Sequence, residues 1–170
     1  MCWTLADVRR LAHAIDWTLK HVPGAVMAIQ GHGTAPTDSD ILAALDYGRG
    51  DTSPAAAPAQ HHNGHRGESS VERLTDQAME ITNALALAPW PSIVATVAGM
   101  GDEYADQLEM YFTYAARYGL PQTRDGSGAY NAKLAEKYGI GRATVTRRLK
   151  ITPEIIARLA LSGMYSSAAG

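Results

Sequence analysis

Basic and hydroxyl side chains gather near the carboxyl-terminal end of the chain. Six residues within the stretch 142–150 can donate hydrogen bonds to an anion: Arg142, Thr144, Thr146, Arg147, Arg148 and Lys150. Guanidinium and ammonium groups bind phosphate oxygens, and a guanidinium can also donate two parallel hydrogen bonds to O6 and N7 of guanine. Threonine hydroxyls bond to phosphates or to base edges. Side chains of these types at this spacing are suited to recognising a polyanion.

The distribution of charge supports the same interpretation. The chain has 170 residues and a formal net charge of -2, from 15 basic and 17 acidic residues. Residues 130–160 hold seven Lys or Arg against two Glu, a local charge of +5, so the remainder carries -7. Like charges in one segment repel each other unless a partner of opposite charge offsets them. A solvated surface with no partner is the alternative interpretation of the charge alone.

The residues around the basic stretch predict two short helices joined by a tight turn. Ala135 is small, as a close crossing of two helix backbones requires, and Gly139 stands where the first helix ends and the chain needs a left-handed residue. Gly141 is an acceptable N-cap for the second helix. Five apolar side chains would meet on the inside: Leu134, Tyr138, Ile140, Val145 and Leu149. A helix over 142–150 would be about 13 Å long, similar to the roughly 12 Å width of the major groove of B-DNA.

Residues 131–150 resemble a helix-turn-helix motif. The stretch Gly139-Ile-Gly-Arg-Ala-Thr-Val145 is similar to the turn and recognition helix of many bacterial DNA-binding proteins. The resemblance implies that a first helix braces a recognition helix, residues 142–150, which enters the major groove of double-stranded DNA. Base contacts are expected from Arg142, Thr144, Thr146 and Arg147. The full set of expected DNA-binding residues is Lys133, Gly141, Arg142, Thr144, Thr146, Arg147, Arg148 and Lys150.

Two narrower resemblances extend from this motif. Residues 149–163 are similar to the segment that follows the helix-turn-helix in ParB-type partition proteins, which implies a new helix capped by Thr152 with Pro153 at its first position. The apolar residues of this helix, Ile155, Ile156 and Leu159, would pack back against the rest of the domain. The Gly-x-x-Arg-Arg stretch of that family has no counterpart upstream, so nucleotide hydrolysis is not expected. Invertase-type serine recombinases also carry a Gly-Ile-Gly-x-x-Thr motif, but their catalytic serine segment is absent here.

Hydrophobic periodicity predicts an all-α fold, a small helical bundle. Apolar residues recur at helical spacing in five further segments: 4–20, 40–47, 70–87, 92–99 and 102–118. No segment alternates with period two. Candidate caps are Thr4 with Asp7 for the first helix, Asp38 or Ser39 for the second, and Ser69 with Glu72 for the third.

The composition also predicts how the chain is divided. Residues 48–69 contain no Leu, Ile, Val, Phe or Met, so burial cannot offset the entropy of ordering them. We therefore expect a helical region over 1–47, a disordered linker over 48–69, and a helical domain over 70–170 that ends in the helix-turn-helix.

Several functional classes receive no support from the sequence. A single cysteine, Cys2, excludes an internal disulfide. The histidines His61, His62 and His65 lie in the predicted linker with no cysteine near them, so no metal site is expected. No Ser-His-Asp set, nucleophilic cysteine or carboxylate pair is identifiable. We therefore expect neither an enzyme nor a cofactor.

The location of the protein is predicted from its hydrophobic runs. The longest apolar run, 84–100, is interrupted by Pro89 and Pro91 and is shorter than the roughly 20 residues that cross a bilayer. At the amino terminus Asp7 precedes Arg9 and Arg10, whereas a signal peptide has its basic residues first. The sequence predicts a cytoplasmic protein with no membrane contact.

Two functions from different classes fit these observations. The first is sequence-specific binding of double-stranded DNA, by a transcriptional regulator or site-binding factor of a bacterium, plasmid or phage that could dimerise through 4–20 or 70–87. The second is a protein-interaction or assembly factor, for example a phage small-terminase-like or polymerase-associated protein, that uses the helical domain as its partner-binding surface. Binding to DNA weakens with salt, whereas the second function predicts binding that survives high salt.

Overall fold

The computed structural model describes residues 2–50, 64–118 and 127–165. Within these ranges the chain is helical and contains no strand, which confirms the all-α prediction. The α-helices of this part are α1 Leu5–His21, α2 Ala25–Ile29, α3 Asp38–Gly50, α4 Gly64–Leu85, α5 Trp90–Gly99, α6 Ala105–Ala116, α7 Ser127–Tyr138 and α8 Arg142–Ser162. A 3₁₀ turn, Asp102–Tyr104, leads into α6.

The first helix begins at the predicted capping box. The Asp7 N–H donates to Thr4 Oγ1 at 3.2 Å, and the Thr4 N–H donates to the Asp7 carboxylate at 2.8 Å. These hydrogen bonds favour the charged carboxylate and lower the pKa of Asp7. The local pattern Thr-x-x-Asp is therefore sufficient to set the start of α1.

The start of α3 differs from the sequence prediction. The helix begins at Asp38, two residues earlier than predicted, because Thr37 and Asp40 form a second box of the same kind. The Thr37 N–H donates to Asp40 Oδ2 at 2.9 Å, and the Asp40 N–H donates to Thr37 Oγ1 at 3.1 Å. Asp38 and Ser39 are therefore residues of the helix and not its cap.

The predicted linker is helical at both of its ends. Gly48 does not stop α3, which runs to Gly50, and α4 begins at Gly64 and not near Ser69. Residues 51–63 lie outside the described residues. Helices α3 and α4 pack against each other, and tertiary packing supplies most of the stability of helices in proteins. The short helix α2 also has no counterpart among the predictions.

Helix α1 lies at the centre of the main hydrophobic core. Its buried apolar residues are Val8, Leu11, Ala12, Ala14, Ile15 and Leu19. They face α4, α6 and α8, so residues from both ends of the chain share this core. Burial of each large aliphatic side chain contributes about 1.5–3 kcal/mol relative to exposure, which makes this packing the main force that holds α1 against α8.

Helix α8 is longer than the predicted recognition helix. It continues past 150 to Ser162, and Pro153 lies inside it rather than at the start of a new helix. A proline inside a helix removes a backbone hydrogen bond and costs about 3 kcal/mol. The burial of Ile156, Ala157 and Ala160 against α1 and its neighbours offsets this cost.

The predicted cap Thr152 is instead a contact between helices. Its hydroxyl donates to the Arg148 carbonyl at 2.5 Å and accepts a hydrogen bond of 3.0 Å from Gln107 Nε2 of α6. Thr152 is buried, so this hydroxyl needs both partners. The two bonds join the middle of α8 to α6.

No single helix in the described ranges is long and apolar enough to cross a lipid bilayer. Val71–Leu85 of α4 and Trp90–Gly99 of α5 reach the required length and hydrophobicity only together, and they are bent by 56° relative to each other. Both contribute buried side chains to the core, among them Ile81 and Ile93.

Candidate nucleic-acid interface

A short turn, residues 139–141, joins α7 to α8. Gly139 has φ +65°, in the left-handed region predicted for it, where other residues meet a steric penalty. The Ile140 N–H donates to the Ala135 carbonyl at 3.0 Å and so satisfies an acceptor at the end of α7. Gly141 is the N-cap of α8, with φ -73°, and its carbonyl accepts from the Val145 N–H at 3.0 Å.

A small hydrophobic cluster packs α7 against the beginning of α8. The predicted inner residues Leu134, Ala135 and Val145 are buried in it, and Tyr138, Ile140 and Leu149 are partly buried around it. Two further members, Met110 of α6 and Tyr130 of α7, were not predicted. Tyr130 precedes Leu134 by one helical turn, so extending the periodicity backwards would have found it. Met110 is distant in sequence and carries no such signal.

The first nine residues of α8 expose a basic face, which consists of Arg142, Ala143, Thr146, Arg147 and Lys150. All five are exposed, whereas Val145 on the opposite side of the helix is fully buried. Arg147 and Lys150 form no ion pair with any residue that the structure describes. The basic face therefore presents its positive charge to solvent.

The remaining predicted contact residues occupy different positions. Thr144 and Arg148, one turn apart on α8, are half-buried at the edge of the basic face. Gly141 is exposed at the start of α8, and Lys133 is exposed on α7. The predicted set thus clusters on α8 and the residue that precedes it, with Lys133 alone on α7.

Thr146 makes hydrogen bonds within the protein. Its hydroxyl donates to the Arg142 carbonyl at 3.2 Å and lies 3.5 Å from Nδ2 of Asn131 on α7. The Asn131 Oδ1 atom is buried and accepts no hydrogen bond from the described residues. Because the donor of Thr146 is already used, this side chain contributes mainly an acceptor to the basic face.

Helix α6 supports α7 from behind. Lys137 Nζ of α7 lies 3.3 Å from Glu109 Oε1 of α6, and this pairing lowers the pKa of Glu109 and raises the pKa of Lys137. Both side chains are more than half exposed, so the ion pair contributes little to stability. Burial, and then the nearby Glu109 carboxylate, raise the pKa of Tyr138. The buried cluster, and not this ion pair, holds α7 in place.

A cleft of about 370 Å³ lies between α1 and the first half of α8. Its charged side chains are Arg9, Asp16 and Lys20 from α1 and Lys150 and Glu154 from α8. His13, Asn131 and Thr146 also line it, together with Ala12, Tyr114, Leu149 and Pro153. Lys150 and Thr146 therefore belong both to this cleft and to the basic face.

Among the side chains described, no group of three His, Cys, Asp or Glu residues is placed to hold a metal ion. The side chains of His61, His62 and His65 lie outside the described residues.

The comparisons with known proteins give no relative for this chain. No protein-family model matches the sequence, and no curated protein or solved structure matches it.

Proposed function

We propose that this protein binds double-stranded DNA through the basic face of α8, with α7 as the bracing helix of a helix-turn-helix. The observation that carries the proposal is the exposure of Arg142, Arg147 and Lys150 on a helix whose other side is buried. The nine residues 142–150 span about 13 Å of helix, and the major groove of B-DNA admits an α-helix.

Each side chain of the basic face has a chemical role in this proposal. Arg142 and Arg147 can each donate two parallel hydrogen bonds to a guanine edge. Lys150 and the flanking Arg148 bind phosphates, and Lys133 of α7 binds a phosphate on the adjacent backbone. The Ala143 methyl group is small enough to let the helix approach the bases and can contact a thymine methyl.

The proposed biological role is that of a transcriptional regulator or site-binding factor. A single motif of this size buries little surface, so a second copy would raise its affinity and specificity. Helix α4 exposes two large apolar side chains, Val71 and Met79, at 57% and 55% of their surface, whereas α1 exposes one, Leu5, at 54%. We therefore place self-association on α4.

Two substitutions on the basic face test the proposal. Bound sequences are first selected from a random duplex pool, and binding to the selected duplex is then compared with binding to an unrelated one. Arg147→Ala should weaken binding to the selected duplex more than binding to the unrelated one. The difference should be about 1–3 kcal/mol and should arise at the base pair that Arg147 contacts. Lys150→Ala should weaken binding to both duplexes equally. Equal behaviour of the two variants would remove the assignment of a base contact to Arg147.

A protein-interaction role is the second candidate function, and the exposed apolar side chains of α4 favour it. A partner that packs on Val71 and Met79 would remain bound at high salt, because burial of apolar surface is not screened by ions. Replacing both residues by Ser should abolish such binding and leave duplex binding by the monomer unchanged.

A further inference from the structure

The cleft between α1 and α8 has unequal charge on its two walls. The α1 wall carries Arg9, Asp16 and Lys20, and the α8 wall carries Lys150 and Glu154. Lys20 Nζ lies 3.0 Å from Asp16 Oδ2, so the charges of Lys20 and Asp16 largely offset each other. The same Nζ atom lies 5.7 Å from the centre of the Tyr114 ring. The other three groups are two cations and one carboxylate, which leaves the cleft with an excess positive charge.

Arg9 is the α1 cation of the cleft that has no partner among the described residues. It is exposed, and it forms no ion pair or hydrogen bond with any residue in the described ranges. The packing of α1 against α8 nevertheless places it beside a helix that carries further positive charge. An arginine held at the edge of a cationic cleft is available to an external anion.

The cleft adjoins the surface that we assign to DNA. Thr146 and Lys150 line the cleft and also form part of the basic face. A duplex seated on the basic face would place the sugar-phosphate backbone on one side of the groove against the opening of the cleft. Phosphate contacts commonly come from elements that flank a recognition helix.

We propose that Arg9 of α1 binds a backbone phosphate of the duplex, so that α1 is a second DNA-contacting element beside α8. This inference rests on the proposed function. It extends the interface to the amino-terminal helix, where Asp16 and Lys20 also line the cleft but pair with each other. The expected contact is independent of sequence, because phosphates carry no base information.

The neighbouring residue Arg10 offers a matched control. It has the same charge and is exposed on the same helix, but it lines a different cleft, with Glu80 and Ile81 of α4. Its guanidinium lies 3.8 Å from the Asp7 carboxylate. Removing Arg9 or Arg10 therefore changes the net charge of the protein equally, while only Arg9 lies beside Lys150.

The test is a titration of the full chain into a short labelled duplex of mixed sequence at several salt concentrations. Arg9→Ala should lower the affinity at low salt about fivefold and reduce the slope of log K against log salt by about 0.9, the loss of one phosphate contact. Arg9→Lys should retain most of the binding, and Arg10→Ala should behave like the wild type. Circular dichroism and thermal unfolding verify that each variant is folded.

The possible outcomes separate the inference from the proposed function. If the wild type binds the duplex and Arg9→Ala binds equally well, the contact of α1 with DNA is wrong, while binding through α8 stands. If Arg9→Ala and Arg10→Ala lose affinity equally, the effect is one of overall charge, and the inference is again wrong. If the wild type itself does not bind duplex DNA, the proposed function fails, and the inference fails with it.

Discussion

The Tyr111 hydroxyl donates a hydrogen bond of 2.6 Å to Oδ1 of Asp16. Tyr111 is fully buried on α6, and Asp16 is half-buried on α1, where its second carboxylate oxygen accepts from Lys20. Burial, and then the Asp16 charge, raise the pKa of Tyr111 well above its usual range, so the phenol remains a donor. This bond fixes α1 against the helix that supports α7 and so helps to position the cleft beside the basic face.

Tyr111→Phe should lower the free energy of unfolding by about 1–2 kcal/mol, because it removes a hydrogen bond to a charged group and keeps the ring. The reduction stays at this level since Asp16 retains Lys20 and some contact with water. Urea unfolding measures it. Tyr114→Phe is the control: its hydroxyl makes no hydrogen bond with the described residues, so a change within about 0.5 kcal/mol is expected. Equal losses in the two variants would contradict the importance of the Asp16 contact.

The turn between α7 and α8 contains two glycines, Gly139 and Gly141, and its backbone requires glycine only at Gly139. Gly139 has φ +65°, and a methyl group added there would meet no described atom within 4 Å, so Gly139→Ala tests backbone strain alone. We expect a loss of about 1 kcal/mol in the free energy of unfolding. Gly141 has φ -73°, which suits other residues, and serine is a favoured N-cap, so Gly141→Ser should change stability by less than about half of that amount. A smaller effect at Gly139 than at Gly141 would show that the turn differs from the one described.

Two isoleucines of α8 test whether this helix is continuous through Pro153. Ile156 is fully buried and Ile151 is 41% exposed. Ile156→Ala should destabilise the protein by about 3 kcal/mol, and Ile151→Ala by less than about 1 kcal/mol. Thermal or urea unfolding of the full chain distinguishes them. Similar losses at both positions would mean that the second half of α8 does not enter the core as described.

The pH dependence of stability should report on His21 at the end of α1. Its ring centroid lies 4.9 Å from that of Trp17 and 5.3 Å from that of Tyr118. Burial, and then the Lys20 charge, lower the pKa of His21, so the unfolded chain takes up the proton at a higher pH than the folded one. The free energy of unfolding should therefore fall as the pH drops from about 7.5 to about 5.5, a range above the titration of the carboxylates.

Two histidine substitutions assign this pH dependence. His21→Gln should flatten the pH profile, because the group with the lowered pKa is gone. His13→Gln, an exposed change on the same helix, should leave the decrease in place. A profile that is unchanged in His21→Gln would place the titrating group elsewhere.

Local signals predicted much of the fold, and long-range packing accounts for the differences. The Thr4 and Asp7 box, the apolar face of α1 and the left-handed Gly139 each depend on residues a few positions apart, so the sequence contains them fully. The same Thr-x-x-Asp pattern occurs at Thr37 and Asp40, so the start of α3 is also a local signal. Pro153 was expected to begin a helix because the sequence does not reveal that α1 and α6 both pack against α8.

The candidate site also combines features that the sequence predicts with features that only long-range packing produces. The exposure of Arg142, Arg147 and Lys150 follows from the periodicity of α8 and agrees with the prediction. The neighbouring cleft does not follow from it, because Arg9 and Lys150 are far apart in sequence and meet only through the packing of α1 on α8. The support of α7 by Met110 of α6 was missed for the same reason.

The most direct test of the central claim is the salt dependence of duplex binding by the wild-type chain. With roughly four phosphates neutralised by basic side chains, a plot of log K against log salt should have a slope of about -4. A slope near zero, or no binding at low salt, would contradict the assignment of the basic face to DNA.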